Sequence, residues 1–499
     1  MNPKTLPSPL QPQPEGNYLR KHEVDEFLGR DLPIPTQVVS NEEYLPLPQT
    51  KLQHNVERNI LATAERNSKR LGVTRRDFLR SACGMAASFA ALNEVFGDYF
   101  QVEAAELMDW SAAAAGKESY FIFDVQTHHV ATPAEAPQAS KEFMRAVVGM
   151  RGMARKMPAG LKGDPSIDEA QRLNYIKEVF LDSETDIALI SALPASSEEV
   201  SVLPPDVMFK TQSWVNELTS SRRVLTHGYF WPDMGTRALE SMQVQREKHS
   251  IAAWKGYTGT SVVPGREGWM MDDEKITYPA LEFSRKLGVK NICLHKGLPL
   301  PGNESYWHPR DLVKVSRDFP DFNFLVYHSG FKSVGDVLPA SEDGFKKTSY
   351  VPWTSDLCEW RRKNQHMRNV YMELGSTFAL MVVSSPLLAG HVLGMILDAF
   401  GEDGVLWGTD SIWWGSPRWQ IEAFRRFEMP DELMKRFGYK PLTVDVKRKI
   451  FGLNAARIYG VDPKAVRNLV PPDYIDRLRK KYKEVGAMPS NTQYGWVAA

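Results

Sequence analysis

Residues 120–128 read YFIFDVQTH, an aromatic and β-branched run that turns polar and closes on His128. A short run this apolar, bounded by polar residues, is the mark of a strand buried on both faces. The same form recurs seven times toward the C-terminus: 185–191 (TDIALIS), 224–230 (VLTHGYF), 250–256 (SIAAWKG), 289–295 (VKNICLH), 322–328 (FNFLVYH), 370–375 (VYMELG) and 405–410 (VLWGTD). Each run is followed by a plausible helix. Strands alternating with helices indicate a parallel sheet covered on both sides. Eight such units over about 340 residues predict a (β/α)8 TIM barrel, an α/β fold, here with long loop insertions and an N-terminal extension. A doubly wound open sheet is the alternative, but no Gly-x-Gly-x-x-Gly turn follows the first run. The connections after the first and sixth runs are longer than usual, as lids and substrate walls are.

Outside the barrel, taken as 116–465, the chain divides into three parts. Residues 1–73 form an arm rich in proline (Pro3, Pro7, Pro9, Pro12, Pro14, Pro33, Pro35, Pro46, Pro48) and then a helix over 51–71, with Leu52, Val56, Ile60, Leu61 and Ala64 on one face. Residues 74–115 open with Thr74-Arg75-Arg76-Asp77-Phe78-Leu79-Arg80 and continue in the mildly apolar run 81–92. This segment resembles a twin-arginine export signal followed by a linker. Ala-x-Ala cleavage positions stand at 112–114 and 113–115. The resemblance implies the twin-arginine export machinery as a partner and a periplasmic or other extracytoplasmic location, or a cytoplasmic one if the signal is vestigial. The alternative is a surface helix start, with Thr74 as cap and Asp77 at the third helical position. Residues 466–499 form a C-terminal helix and tail whose basic run, 477–483, reads as a solvated face.

Composition narrows the partners. With 61 basic and 61 acidic side chains the formal net charge is zero, which argues against nucleic acid or an anionic membrane surface. No stretch reaches the ~18 apolar residues of a membrane span. Three cysteines, Cys83, Cys293 and Cys358, make neither a disulfide framework nor a zinc finger.

The chemistry gathers at the strand ends. Of eleven histidines, His128, His227, His295 and His328 fall at C-terminal strand ends, and Asp410 ends the eighth run. In a barrel these positions converge on one mouth. Imidazole and carboxylate donors suit zinc, manganese or iron with a coordination position left for water.

Asp124-Val125-Gln126-Thr127-His128 resembles the D-x-H-x-H motif that opens the amidohydrolase superfamily barrel. Leu294-His295-Lys296-Gly297 resembles its fifth-strand histidine, Tyr327-His328-Ser329-Gly330 the H-x-G of strand six, and Trp407-Gly408-Thr409-Asp410 the G-[ST]-D of strand eight. Residues 449–457 (KIFGLNAAR) resemble the closing helix of the amidohydrolase-2 branch, which holds hydrolases, lactonases and non-oxidative decarboxylases similar to aminocarboxymuconate semialdehyde decarboxylase. The resemblance implies one divalent metal, zinc first and manganese or iron as alternatives, held by His128, His295 and Asp410, with His328 beside it as acid, base or orienting group. Gln126 occupies the place of the first metal-binding histidine. Glutamine is a neutral, poor ligand, so a fourth ligand at Gln126, three ligands without it, and no metal at all are three separate outcomes. His129 could substitute only through a one-residue bulge, because adjacent strand residues face opposite sides. Homodimers are common in the family.

Two reactions fit these residues. In hydrolysis, Asp410 takes the proton of a metal-activated water and passes it on, while His328 stabilises the oxyanion. In decarboxylation, Asp410 or His328 protonates the carbon that loses carbon dioxide. The leading expectation is a hydrolase of a small cyclic or aromatic compound, then a metal-dependent decarboxylase, then a catalytically silent barrel that binds a small ligand. Tyr229, Trp231, Trp254, Trp413 and Trp414 are expected to line the mouth. Lys255, on the fourth strand, Lys296 and Arg418 are expected near the mouth, where they could hold a substrate carboxylate. Cys293 is expected deeper in the barrel, as a buried side chain and not a nucleophile.

Overall fold

The computed structural model describes residues 18–29, 31–39, 47–114, 118–136, 170–195, 201–300, 303–332, 346–467, 472–486 and 495–498. Much of the proline-rich arm, the two insertions expected as lids (137–169 and 333–345) and most of the tail lie outside the described residues. Eight parallel strands follow one another in chain order: β1 (Phe123–Thr127), β2 (Ile187–Ile190), β3 (Val224–Tyr229), β4 (Ile251–Gly256), β5 (Asn291–His295), β6 (Asn323–Tyr327), β7 (Val370–Glu373) and β8 (Val405–Leu406). Every expected run contains one of them. The last strand returns to the first. The Val125 N–H donates to the Trp407 carbonyl at 3.1 Å and the Asp410 N–H to the Gln126 carbonyl at 2.9 Å. Thr127 and Ser411 form a parallel bridge. This closure sets aside the open doubly wound sheet and gives the TIM barrel.

The interior is a packed core. Phe123, Ile187, Leu189, Leu225, Ala253, Cys293, Leu325, Tyr371 and Leu406 point into it, and Ala455, Ala456 and Tyr459 of the helix Asn454–Tyr459 join them. Side chains two residues further along a strand share its face. Leu225 therefore leads to His227, Ala253 to Lys255, Cys293 to His295, Leu325 to Tyr327 and Tyr371 to Glu373. Those five residues form the next layer toward the mouth. Cys293 lies in the inner core, with Sγ 3.5 Å from the Tyr459 hydroxyl, as its register predicted.

The N-terminal segment packs into the same outer core as the barrel helices. Helix α1 (Lys51–Leu71) has a capping box at Thr50 and buries Val56, Ile60 and Ala64. Thr74 caps α2 (Arg75–Arg80) by accepting from the Asp77 N–H, which is the surface-helix alternative for this stretch. Arg76 pairs with Asp31 at 2.8 Å, while Phe78 and Leu79 are buried. Helix α3 (Ala82–Phe96) buries most of its length. Its Phe89 lies 4.9 Å from Phe100, which lies 5.6 Å from Phe427 at the end of the barrel helix α4 (Arg418–Arg426). The Gln101 N–H donates to the Arg426 carbonyl, and the Arg426 guanidinium holds Glu106 at 2.5 Å. Among the described residues no helix is long and apolar enough to cross a membrane.

The C-terminal helix α5 (Tyr474–Glu484) is less solvated than its charge run suggested. Its cap, Asp473, takes the buried Arg223 guanidinium at 2.7 Å, and Arg479 donates to the carbonyls of Phe180 and Thr185.

Candidate active site

Strand β1 carries a register shift between Asp124 and Thr127. A bulge lets two successive residues face one side, so Val125 reaches the inner core while Gln126 also turns inward to Asp410. Asp124 anchors this turn, accepting from the N–H groups of Gln126 and Thr409, each at 3.1 Å, and from the Thr409 hydroxyl. Burial pushes the Asp124 carboxyl up to about 7. Asp124 is thus the clasp between the first and eighth strand ends.

Asp410 sits at the centre of the polar mouth. Its Oδ1 accepts from Gln126 Nε2 at 2.8 Å and lies 3.0 Å from His128 Nε2. Its Oδ2 accepts from the Ser376 hydroxyl at 2.5 Å, and Ser376 in turn accepts from Trp414 Nε1 at 2.9 Å. Burial alone would raise its pKa. The hydrogen bond and attraction of His128, with His328 and Ser376, outweigh burial and hold the carboxyl well below its usual range. Several of these residues adopt left-handed backbone: His328 (φ 64°), Ser329 (φ 52°), Ser376 (φ 56°) and Asp410 (φ 59°). Strained backbone of this kind clusters where side chains must be aimed.

Three imidazoles are held by backbone carbonyls. His128 Nδ1 lies 2.8 Å from the Ser191 carbonyl, His295 Nε2 2.9 Å from that of Leu298, and His328 Nδ1 2.9 Å from that of Gly375. A carbonyl oxygen can only accept, so each of those nitrogens carries the proton. The other nitrogen of each ring is then bare when the ring is neutral. Burial holds His328 down at about 4 and His295 well below its ordinary value, the latter helped by His328 and Lys255. The second nitrogens face further groups: His128 Nε2 lies 3.0 Å from Asp410, to which it donates when the ring is charged, and His295 Nδ1 faces His328 Nε2 at 3.1 Å. Lone pairs so opposed call for a proton or a cation among them.

Imidazole and carboxylate donors are of the kind that a divalent metal takes. A ligating histidine characteristically donates its second nitrogen to a carbonyl, which fixes tautomer and ring orientation. Gln126 does not fit as a ligand as it is placed. Its Nε2 donates to Asp410 and lies 3.5 Å from His128 Nε2, while its Oε1 is buried without a donor. Among the described residues no three His, Cys, Asp or Glu side chains converge as a metal-binding group. The donors are instead taken up in twos.

The remaining expected site residues fall elsewhere. His129 turns away from the mouth in spite of the bulge, with Nε2 3.0 Å from the Thr211 hydroxyl, so it does not stand in for Gln126. His227 is held between the Ser191 hydroxyl and that of Tyr327. Lys296 is fully buried, donating to Asp311 at 2.7 Å and to the carbonyls of Tyr306 and His308. It braces the loop after β5 and is not presented to a substrate carboxylate. Arg418 lines a cavity of about 810 Å³ on the outer wall, with Arg80, Asp182, Glu184, Glu422 and Lys483, and not the mouth. Trp231 stacks on Tyr229 at 4.5 Å in the outer core, and Trp254 donates to Ser284 there. Trp413 does reach the site, 6.0 Å from the His128 ring.

Other residues at the site escaped the sequence reading. The aromatic wall beside His295 is Tyr257 at 5.0 Å and Trp307 at 5.3 Å. Tyr257 directly follows β4 and Trp307 ends the short helix Glu304–Trp307, both past strand ends, where strand periodicity gives no signal. Ser376 follows β7 by three residues. Glu373 ends β7 and is fully buried, and burial pushes its carboxyl up to about 8. A charged residue inside the apolar run 370–375 was the signal that could have found it.

The family model described as amidohydrolase (Amidohydro_2) matches residues 240–461. That span holds His295, His328, Glu373 and Asp410, and begins after Gln126 and His128. No curated protein matches the chain. Among solved structures, the 5-carboxyvanillate decarboxylase of Sphingomonas paucimobilis is similar over 69% of this chain and 100% of its own, at 14% identity and a TM-score of 0.41. The 5-carboxyvanillate decarboxylase of Novosphingobium aromaticivorans, complexed with manganese and 4-hydroxy-3-methoxy-5-nitrobenzoic acid, is similar over 69% and 97%, at 12% identity and a TM-score of 0.43. A probable 2-pyrone-4,6-dicarboxylic acid hydrolase of Acinetobacter baumannii is similar over 68% and 99%, at 12% identity and a TM-score of 0.39.

Proposed function

We propose that this chain is a metal-dependent enzyme of the amidohydrolase-2 type that hydrolyses a small cyclic or aromatic compound. The observation that carries this reading is Asp410, a buried carboxylate held well below its usual range with His128 Nε2 at 3.0 Å, while His295 and His328 pair at the same mouth and each of the three rings is fixed by a backbone carbonyl. His128, His295 and Asp410 would hold the metal, zinc first and manganese or iron as alternatives. Bound there, it would polarise the scissile bond and lower the pKa of water toward ~7. Asp410, kept ionised, accepts the water's proton and passes it to the leaving group. His328 Nε2 is an acceptor in the neutral ring, so it stabilises an oxyanion only after taking up a proton. Gln126 donates to Asp410 and orients its carboxylate. Trp413, Tyr257 and Trp307 suit a flat substrate.

Decarboxylation is the second reading. It is favoured by the His295–His328 contact, which can hold a proton close to the site for delivery to carbon. Incubation with cyclic esters, amides and hydroxybenzoates in isotopically labelled water separates the two. Labelled oxygen in the product supports hydrolysis. Carbon dioxide release with no labelled oxygen in the organic product overturns it in favour of the decarboxylase. For the N-terminal segment we propose export by the twin-arginine machinery, with the segment retained in the folded chain. An unchanged location for the double variant Arg75→Lys/Arg76→Lys overturns the export reading.

A further inference from the structure

A carboxyl group that no step above uses lies directly behind the site. Glu373 Oε2 accepts from the His328 N–H at 3.1 Å, and Oε1 accepts from the Gly375 N–H at 2.6 Å. The Gly375 carbonyl is the group that takes His328 Nδ1. One carboxyl therefore ties the backbone of His328 to the turn that fixes its ring. Further bonds lock the same two strand ends together: Ser329 Oγ donates to the Glu373 carbonyl at 2.6 Å, and Thr377 Oγ1 to the His328 carbonyl at 2.9 Å.

The space for this clasp is built by two glycines. A Cβ on Gly408 would stand 1.7 Å from Glu373 Oε1, and one on Gly375 would stand 2.3 Å from Gln126 Oε1 and 2.6 Å from Glu373 Oε1. Any side chain at either position would drive the carboxyl from its seat. The clasp also answers a local need. His328 and Ser329 hold left-handed backbone, which persists only where neighbouring structure over-determines it.

We propose that Glu373 is a positioning residue for His328: by holding the amides of His328 and Gly375 it selects the Nδ1-protonated tautomer and turns the bare Nε2 toward the site. The inference rests on His328 being a working group of the proposed enzyme, but its test does not need a substrate. The full-length protein is labelled with nitrogen isotope at histidine, and the ring signals of His328 are assigned by their loss in His328→Gln. In the wild type His328 shows a protonated Nδ1 and a bare Nε2. In Glu373→Gln the amide presents a donor to one of the two backbone N–H groups, and His328 relaxes to a mixture of both tautomers while His128 keeps its own. A His328 signal unchanged in Glu373→Gln overturns the proposal, as does a protonated Nε2 in the wild type. If Glu373→Gln does not fold, hydrogen exchange on the wild type decides. Strong protection of the His328 and Gly375 amides supports the clasp, and exchange at the rate of open loops overturns it. On a substrate that the enzyme turns over, Glu373→Gln lowers kcat about tenfold with KM little changed. Absence of turnover on every substrate would count against the proposed reaction and leave the tautomer result standing.

Discussion

Asp410 combines three things that rarely meet in one carboxylate: full burial, left-handed backbone and hydrogen bonds to both oxygens from neutral donors. If it is the base of the reaction, Asp410→Asn keeps the shape and removes the proton acceptor. Turnover is then expected to fall by about 10²–10⁴-fold, measured as kcat on whichever substrate the labelled-water assay identifies. The acid limb follows from the same residues. Asp410 must be ionised to take the proton, and its carboxyl is held well below the usual range, so a pH–rate profile is expected to show no loss of rate through the ordinary carboxylate range. Glu373 works in the opposite sense on stability. Its folded carboxyl is raised from 4.5 to about 8, so the folded state favours the protonated form. The stability that Glu373 contributes is complete below pH 4.5 and is lost as pH rises through about 8. Glu373→Gln has no proton to lose. The difference in Tm between wild type and Glu373→Gln is therefore expected to shrink between pH 5 and 8, which thermal melts across that range check.

At the scale of elements, the eight strands were legible because burial on both faces leaves near-continuous apolar runs that surface strands do not have. Their ends were less so. The eighth run was read as 405–410, yet the strand stops at Leu406, because the backbone that follows turns toward the left-handed Asp410. The aromatic residues show the same limit. Composition placed Trp231 and Trp254 near strand ends, but which face a ring occupies depends on strand parity and on the helix that covers it. The segment 74–115 is the largest case. Paired arginines before a weakly apolar helix look the same whether that helix awaits export or packs on a barrel. In the fold the segment packs on the barrel through Phe89, Phe100 and Phe427 and through the Arg426–Glu106 pair, contacts that the arginines and the apolar run do not announce. Phe89→Ala is accordingly expected to cost about 3–5 kcal/mol in chemical denaturation, as for other large aromatic deletions in a core. The intact mass of the mature protein is expected to include residues 74–115. A chain beginning at 115 or 116 would show that this packing does not survive processing.

The site belongs to the whole molecule, since its groups come from the first, fifth, sixth, seventh and eighth strand ends and meet only when β8 closes on β1. Residue types at strand ends announced His128, His295, His328 and Asp410. Their partners were invisible in sequence, because the groups that fix the three imidazoles are the backbone carbonyls of Ser191, Leu298 and Gly375, which residue type does not mark as acceptors. Gln126 shows how far this reaches. From sequence it was a weak ligand or none; in the fold its amide donates to Asp410 beside His128, so a neutral donor stands among the groups that a cation would join. Metal and Gln126 therefore compete for the same lone pairs. Gln126→Glu replaces that donor with a carboxylate and is expected to tighten metal binding, whereas Asp410→Ala and His295→Ala abolish it. Thermal melts of chelator-treated protein titrated with zinc or manganese provide the measurement. Ligand at about a hundred times its Kd stabilises the folded state by about 2.7 kcal/mol. A rise in Tm that Asp410→Ala removes and Gln126→Glu brings to lower metal concentration places the cation at these residues. A wild-type chain whose Tm no metal moves would leave the Gln126 amide as the group that joins His128 to Asp410. Both enzyme readings would then give way to a barrel that binds its small ligand through hydrogen bonds alone.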